Sequence, residues 1–134
     1  MIYEPDSKFT MNNSRDVTPT KAFAMIQKGA LLVDVREQGE VDRKSFDVPE
    51  ILLIPLRQFE TRYKEIPADR QVIIACHSGS RSIMASRFLM NQGYKKSFNM
   101  QSGLVRWVAE GLPLKEKEKQ KTSLWLSQLF SKRP

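Results

Sequence analysis

The chain has 134 residues, enough for one domain, and its 40% hydrophobic and 28% charged residues exclude a disordered or fibrous chain. Its single cysteine excludes an internal disulfide, and one cysteine with one histidine cannot form a four-ligand zinc site. The net charge is +7, and the six basic and two acidic residues of positions 115–134 contribute +4 of it. Because residues 1–114 are nearly balanced in charge, the sequence does not indicate a nucleic-acid-binding surface.

A polar lead-in is followed by a predicted helix and a buried strand. Residues 1–16 are polar and aperiodic and are predicted to be flexible. Thr18 and Pro19 are typical of a helix start, because a hydroxyl caps the first turn and proline suits the first helical position. Apolar residues follow at helical spacing until Gly29, and the apolar run 31–35 predicts a strand buried on both faces.

The rest of the chain repeats this alternation. Further buried strands are predicted at 51–54 and 72–75, and a weaker one at 96–99. Helices are predicted after Pro55, from about Arg81 to Gly93, and at 104–110. Strands that alternate with helices of roughly ten residues predict an α/β fold, with a small parallel β-sheet flanked by helices on both faces.

The loop after the third strand carries the residues suited to chemistry. Cys76 follows the strand directly, four residues intervene, and Arg81 opens the next helix. Gly79 and small polar residues let the backbone curl, so that its N–H groups, the helix N-terminus and Arg81 form an anion cradle around the sulfur. Cys76 is therefore predicted to be a thiolate nucleophile that reaches solvent. The alternative is a small buried core residue.

Three segments of the chain resemble the single-domain rhodanese-like sulfurtransferases. They are the loop 76–82, the strand and turn 32–37 with its Asp-x-Arg, and Trp107 with the Glu-Gly-Leu-Pro ending at 110–113. The resemblance covers residues 17–114, which are taken as the domain. It implies a Cys76 persulfide that receives sulfur from a donor such as thiosulfate and passes it to cyanide or a thiol, without a metal or organic cofactor.

The resemblance also implies roles for the loop residues. Cys76 and Arg81 would be catalytic, and the residues that bind substrate would be His77, Ser78, Gly79, Ser80 and Ser82. His77 is predicted either to enter the pocket mouth or simply to be exposed. Protein sulfur donors or acceptors remain candidate partners, and a non-catalytic persulfide carrier or interaction module is the alternative function. Phosphatases and arsenate reductases are less favoured, because their Cys and Arg are separated by five residues rather than four.

Two segments depart from the family pattern. Residues 44–50 stand where the family usually has Gly-His-Ile-x-Gly-Ala, so the shape of one wall of the site and the preference for a donor are open. Ser102-Gly103 replaces a Gly-Gly pair before the last helix.

Three charged residues near the first strand have a structural interpretation. Asp34 and Arg36 are predicted to form a structural pair rather than to line the pocket, although a supporting role in the site stays open. Glu40 is the predicted partner of Arg36. Apart from these charged residues, Trp107 is predicted to be a core residue.

Residues 115–134 form a basic tail with an amphipathic pattern. Trp125, Leu126, Leu129 and Phe130 share one side of a helical wheel, and lysines flank them. Docking on the domain or on a second copy is favoured over contact with a membrane surface. Because residues 1–6 lack the basic and apolar regions of an export signal and no apolar run approaches the ~20 residues of a membrane span, a cytoplasmic location is expected.

Overall fold

The computed structural model describes residues 15–116, which form a parallel sheet with helices on both of its faces. The seven strands are β1 (Asp16–Val17), β2 (Leu31–Asp34), β3 (Ser45–Phe46), β4 (Ile51–Leu53), β5 (Val72–Ala75), β6 (Ser97–Met100) and β7 (Leu114–Lys115). Five of them pair in parallel in the order β1-β6-β5-β2-β4, so β5 is central. β3 and β7 form a separate antiparallel pair.

Helices cover the two faces of this sheet. They are α1 (Pro19–Gln27), α2 (Gln38–Arg43), α3 (Phe59–Arg62), α4 (Ser80–Asn91) and α5 (Gly103–Ala109), and the 3₁₀ turns Leu56–Gln58 and Tyr63–Glu65 flank α3. The sheet separates two apolar clusters: residues of α1 and α5 pack on one face, and residues of α3 and α4 pack on the other. The predicted α/β architecture is confirmed. Among residues 15–116, no helix is long and apolar enough to cross a membrane.

The predicted start of α1 is confirmed in detail. Thr18 is the N-cap residue, and its hydroxyl accepts a hydrogen bond of 3.1 Å from the Lys21 amide. The helix ends at Gln27, and Gly29 has a positive φ of 111°. The hydroxyl of Thr18 therefore caps the start of the helix, and the left-handed conformation of Gly29 follows its end.

Other elements differ from the sequence-based prediction. Asp16, assigned to the flexible lead-in, lies in β1, where Arg15 donates to the backbone carbonyls of Lys95 and Ser97. The strand β4 is not buried: it is an edge strand, and Ile51 is 39% exposed. The short elements α2, β3 and β7 were not predicted. The predictions for residues 1–14 and for 117–134 concern segments outside the described residues.

Candidate functional site

The Cys76 sulfur lies inside a tight loop at the carboxyl end of the central strand. Its Sγ accepts hydrogen bonds from the amides of Gly79 (3.0 Å) and Ser82 (3.3 Å). The thiol also contacts Ser82 Oγ at 3.5 Å, and that hydroxyl donates to the Gly79 carbonyl at 3.1 Å. Gly79 has a φ of +106°, which an L side chain rarely adopts, and this turn brings the N-terminal amides of α4 to the sulfur. Two backbone N–H groups are thus directed at the sulfur atom.

The N-terminus of α5 holds the same loop from the outside. The Leu104 amide donates to the Cys76 carbonyl (2.9 Å), and the Val105 amide donates to the His77 carbonyl (3.0 Å). Both carbonyl oxygens are thus turned away from the sulfur, which leaves the amide side of the loop facing it. This approach depends on Gly103, because a Cβ there would lie 2.8 Å from the His77 carbonyl oxygen and closer still to that of Cys76.

Cys76 is 0% exposed, so the prediction of a sulfur that reaches solvent is wrong for this conformation. On its apolar side the residue belongs to the cluster beneath α4. A cysteine that merely fills space has no need of amide donors, whereas two amides and a hydroxyl surround this sulfur. The sulfur is therefore both buried and hydrogen-bonded to the backbone of its own loop.

The next residue, His77, is exposed and faces a cavity of about 600 Å³. The cavity is lined by Arg36, Glu40, Arg43, Lys44, His77, Leu104 and Glu116. His77 is thus exposed and lines this cavity, whereas Cys76 is not among the lining residues, so a role of His77 at the mouth of the Cys76 site stays a prediction. One wall of the cavity belongs to the short helix α2 and its C-terminal end, which contribute Glu40, Arg43 and Lys44. The sequence of this helix contains no motif that indicates a function.

Arg81 does not point a free cation at the sulfur. Its Nη1 and Nη2 donate to the two carboxylate oxygens of Glu40 at 2.8 and 3.0 Å. The hydrogen bonds from Arg81 are the chief cause that lowers the pKa of Glu40 to about 2. The pKa of Arg81 is raised, mainly by Glu40 and in smaller part by the charges of Cys76 and Asp34. The predicted pairing of Glu40 with Arg36 is wrong, because the short helix α2 carries Glu40 to the start of α4.

Asp34 and Arg36 form the predicted structural pair. The Asp34 carboxylate accepts from the Arg36 backbone amide and from its guanidinium, with a shortest distance of 2.8 Å, and both residues are buried. The Phe46 ring lies 5.6 Å from the guanidinium carbon and meets the buried Trp107 edge-on. Phe46 belongs to the segment 44–50 that departs from the family pattern, so an aromatic side chain now supports this wall. Arg36 also lines the cavity, and its supporting role in the site stays a prediction.

The other loop residues that were predicted to bind substrate do not line this cavity. Ser78, Gly79 and Ser80 line a second, open groove of about 550 Å³ on the side of β1 and β6. Ser82 is buried against the sulfur. The loop thus separates two openings, and only His77 among the predicted binding residues lies on the first.

Comparison with known proteins agrees with this geometry. Residues 18–110 match the family model described as "Rhodanese-like domain". A protein named sulfurtransferase from Allochromatium vinosum is 40% identical over 84 residues, covering 63% of this chain and 77% of that protein. The thiosulfate sulfurtransferase GlpE of Haemophilus influenzae is 32% identical over 101 residues, 75% of this chain and 93% of the relative. The crystal structure of a rhodanese-related protein from Thermoplasma volcanium superimposes with a TM-score of 0.69 at 25% identity, over 75% of this chain and 96% of that one.

Proposed function

The chain belongs to the rhodanese-like domain family, and from that premise we propose that it is a sulfurtransferase that carries a sulfane sulfur on Cys76. The observation that carries the proposal is the pair of amide donors, Gly79 and Ser82, on the sulfur of the only cysteine in the chain. These donors stabilise negative charge on the thiolate and are also placed to stabilise the charge of a persulfide.

The reaction has two steps, with thiosulfate as the donor. The Cys76 thiolate attacks the outer sulfur of thiosulfate; an S–S bond to Cys76 forms, the S–S bond of the donor breaks, and sulfite leaves with the electron pair. Cyanide or a thiolate then attacks the outer sulfur of the persulfide, and the Cys76 thiolate is regenerated as the leaving group. Arg81 is proposed to neutralise the incoming anion, and His77 to line its approach.

The burial of Cys76 adds a requirement to this scheme. A donor reaches the sulfur only after the loop or the side chains of the adjoining cavity move, because none of the residue is exposed. Burial also favours one second candidate, a persulfide carrier that is loaded by a partner protein able to open the loop. The enzyme would be loaded by a small donor such as thiosulfate, whereas the carrier would need a partner protein to load it.

The decisive experiment combines turnover with intact mass. The full chain and Cys76→Ser are assayed for thiocyanate production from thiosulfate and cyanide, and the mass of each is measured after thiosulfate alone. We expect turnover and a gain of one sulfur in the wild type, and neither in Cys76→Ser. Met84→Ala is the control, because Met84 is 59% exposed on α4 and lines neither the cavity nor the groove beside the loop.

Each other outcome has a definite meaning. If thiosulfate gives no turnover but a cysteine desulfurase with its substrate adds one sulfur to Cys76, the carrier function replaces the enzyme. If neither treatment modifies Cys76, the proposed function is wrong, and the buried sulfur is a core residue.

A further inference from the structure

All but one of the arginine and lysine side chains beside the loop are paired with carboxylates. Arg36 is bonded to Asp34, Arg81 to Glu40, and Lys44 lies 3.5 Å from Glu116. Arg43 is the one arginine or lysine of the cavity wall that forms no ion pair within residues 15–116. An anion that approaches the sulfur therefore meets two arginines, Arg36 and Arg81, that are already paired with the protein's own carboxylates.

The Arg81–Glu40 pair has the geometry of a bound anionic ligand. A carboxylate bridges two guanidinium nitrogens in the bidentate manner that arginine also uses for sulfate-like anions. Glu40 Oε2 accepts in addition from the Glu37 amide at 3.0 Å, so the carboxylate is held in place by its own helix. The Arg81 and Glu40 side chains are 33% and 28% exposed, which leaves them open to exchange of partner.

We infer that Glu40 is a specificity-determining residue that competes with anionic sulfur donors for Arg81. The inference rests on the proposed function, because it concerns the donor of that same site. A donor with a sulfonate-like group, such as thiosulfate, must displace the Glu40 carboxylate before Arg81 can bind it. Glu40 acts through Arg81, so it is a positioning residue: it weakens binding of the anionic donor without taking part in the bond-breaking step.

The first test measures binding without turnover. Cys76→Ser cannot accept sulfur, so the dissociation constant of thiosulfate is measured by calorimetry in this background, alone and combined with Glu40→Gln. Removing a partly exposed competing ion pair is expected to tighten binding by about 2- to 5-fold. Glu50→Gln is the matched control, because Glu50 forms an equally bidentate pair with Arg70 near the amino ends of β4 and β5, whereas the Cys76 loop follows the carboxyl end of β5. This control is expected to leave binding unchanged.

The second test keeps Glu40 in place and follows its charge. In Cys76→Ser, the carboxyl carbon of Glu40 is titrated by NMR with and without methanesulfonate, whose sulfonate group stays charged and intact in acid, whereas thiosulfate decomposes there. A carboxylate that loses Arg81 to the ligand should show a pKa nearer its ordinary value of 4.5 than the value of about 2 that the pair imposes. This arm remains informative if Glu40→Gln does not fold.

The turnover arm separates this inference from the proposed function. In otherwise wild-type protein, Glu40→Gln should lower KM for thiosulfate by the same factor with kcat changed less than about twofold, and kcat/KM should fall more steeply with salt. If the wild type turns over and Glu40→Gln leaves both KM and the dissociation constant unchanged, or raises them, only the role of Glu40 is wrong. If the wild type does not turn over but the binding arm responds as expected, the anion site stands and the proposed reaction fails.

Discussion

Replacing Gly103 by alanine tests how the loop around Cys76 is held. An alanine Cβ at this position would lie within van der Waals overlap of the Cys76 and His77 carbonyl oxygens, and these are backbone atoms that cannot rotate away. To relieve the overlap, the start of α5 must move off the loop. That movement breaks the hydrogen bonds from the Leu104 and Val105 amides.

The size of the effect follows from two contributions. Gly103 has a φ of +50°, and alanine in this left-handed region costs about 1–2 kcal/mol. The two lost hydrogen bonds add about 1 kcal/mol each, which gives a total of about 3–4 kcal/mol. Gly111 provides the matched control at the other end of α5: its φ is +71°, but no neighbouring atom lies within 4 Å of the place that a Cβ would take. Gly111→Ala should therefore show only the backbone contribution.

The measurement is the free energy of unfolding of both variants in denaturant, together with sulfur transfer. We expect Gly103→Ala to be about 2 kcal/mol less stable than Gly111→Ala, equivalent to roughly 8–16 °C in Tm for a domain of this size. Transfer should be lost in Gly103→Ala at temperatures where it is still folded, and kept in Gly111→Ala. Equal destabilisation of the two variants would refute the close approach of α5 to the loop.

Three further predictions concern neighbouring residues. Ser102 has a φ of +60°, so Ser102→Gly should raise the free energy of unfolding by about 1 kcal/mol; a lower Tm would contradict this explanation. The Arg81 pairing that lowers the pKa of Glu40 from 4.5 to about 2 stabilises the fold above about pH 5, and this stabilisation is lost as the pH falls toward 2. Glu40→Gln should accordingly be about 1–2 kcal/mol less stable than wild type at pH 7 and differ little near pH 2, whereas a gap independent of pH would exclude the charge as its cause. Asp34→Asn leaves the buried Arg36 charge uncompensated and should lower the free energy of unfolding by about 3–5 kcal/mol. The double variant with Arg36→Met should recover part of this loss; no recovery would mean that the pair acts through packing alone.

The sequence predicted those helices and strands that are determined by residues close together in the chain. The runs at β2 and β5 are apolar almost without a break because these strands are covered on both faces, and Thr18 with Pro19 determines the start of α1 by capping. The position of Cys76 at the end of a buried strand follows from the same pattern.

The features that escaped prediction depend on contacts between distant parts of the chain. Arg81 and Glu40 are 41 residues apart, and only the packing of α2 beside the loop brings them together. The curl of the loop at Gly79 was predicted, but the complete burial of Cys76 was not, because it depends on the packing of α4 and α5 against the loop. The two-residue strand β1 is too short to show any periodicity, and pairing with β6 alone makes it a strand.

The β3–β7 pair determines where the chain leaves the described domain. The Trp107 indole donates to the Pro113 carbonyl at 2.6 Å, and β7 then leads to Glu116 on the cavity wall. A reporter dye or a second protein attached shortly after this point is tethered beside the cavity, at an effective concentration in the millimolar range when the linker is short. Attachment ahead of Arg15, which bonds to carbonyls at the start of β6, places the same group toward the far edge of the sheet. The site of attachment therefore decides whether an added module lies beside the cavity or near β1 at the edge of the sheet.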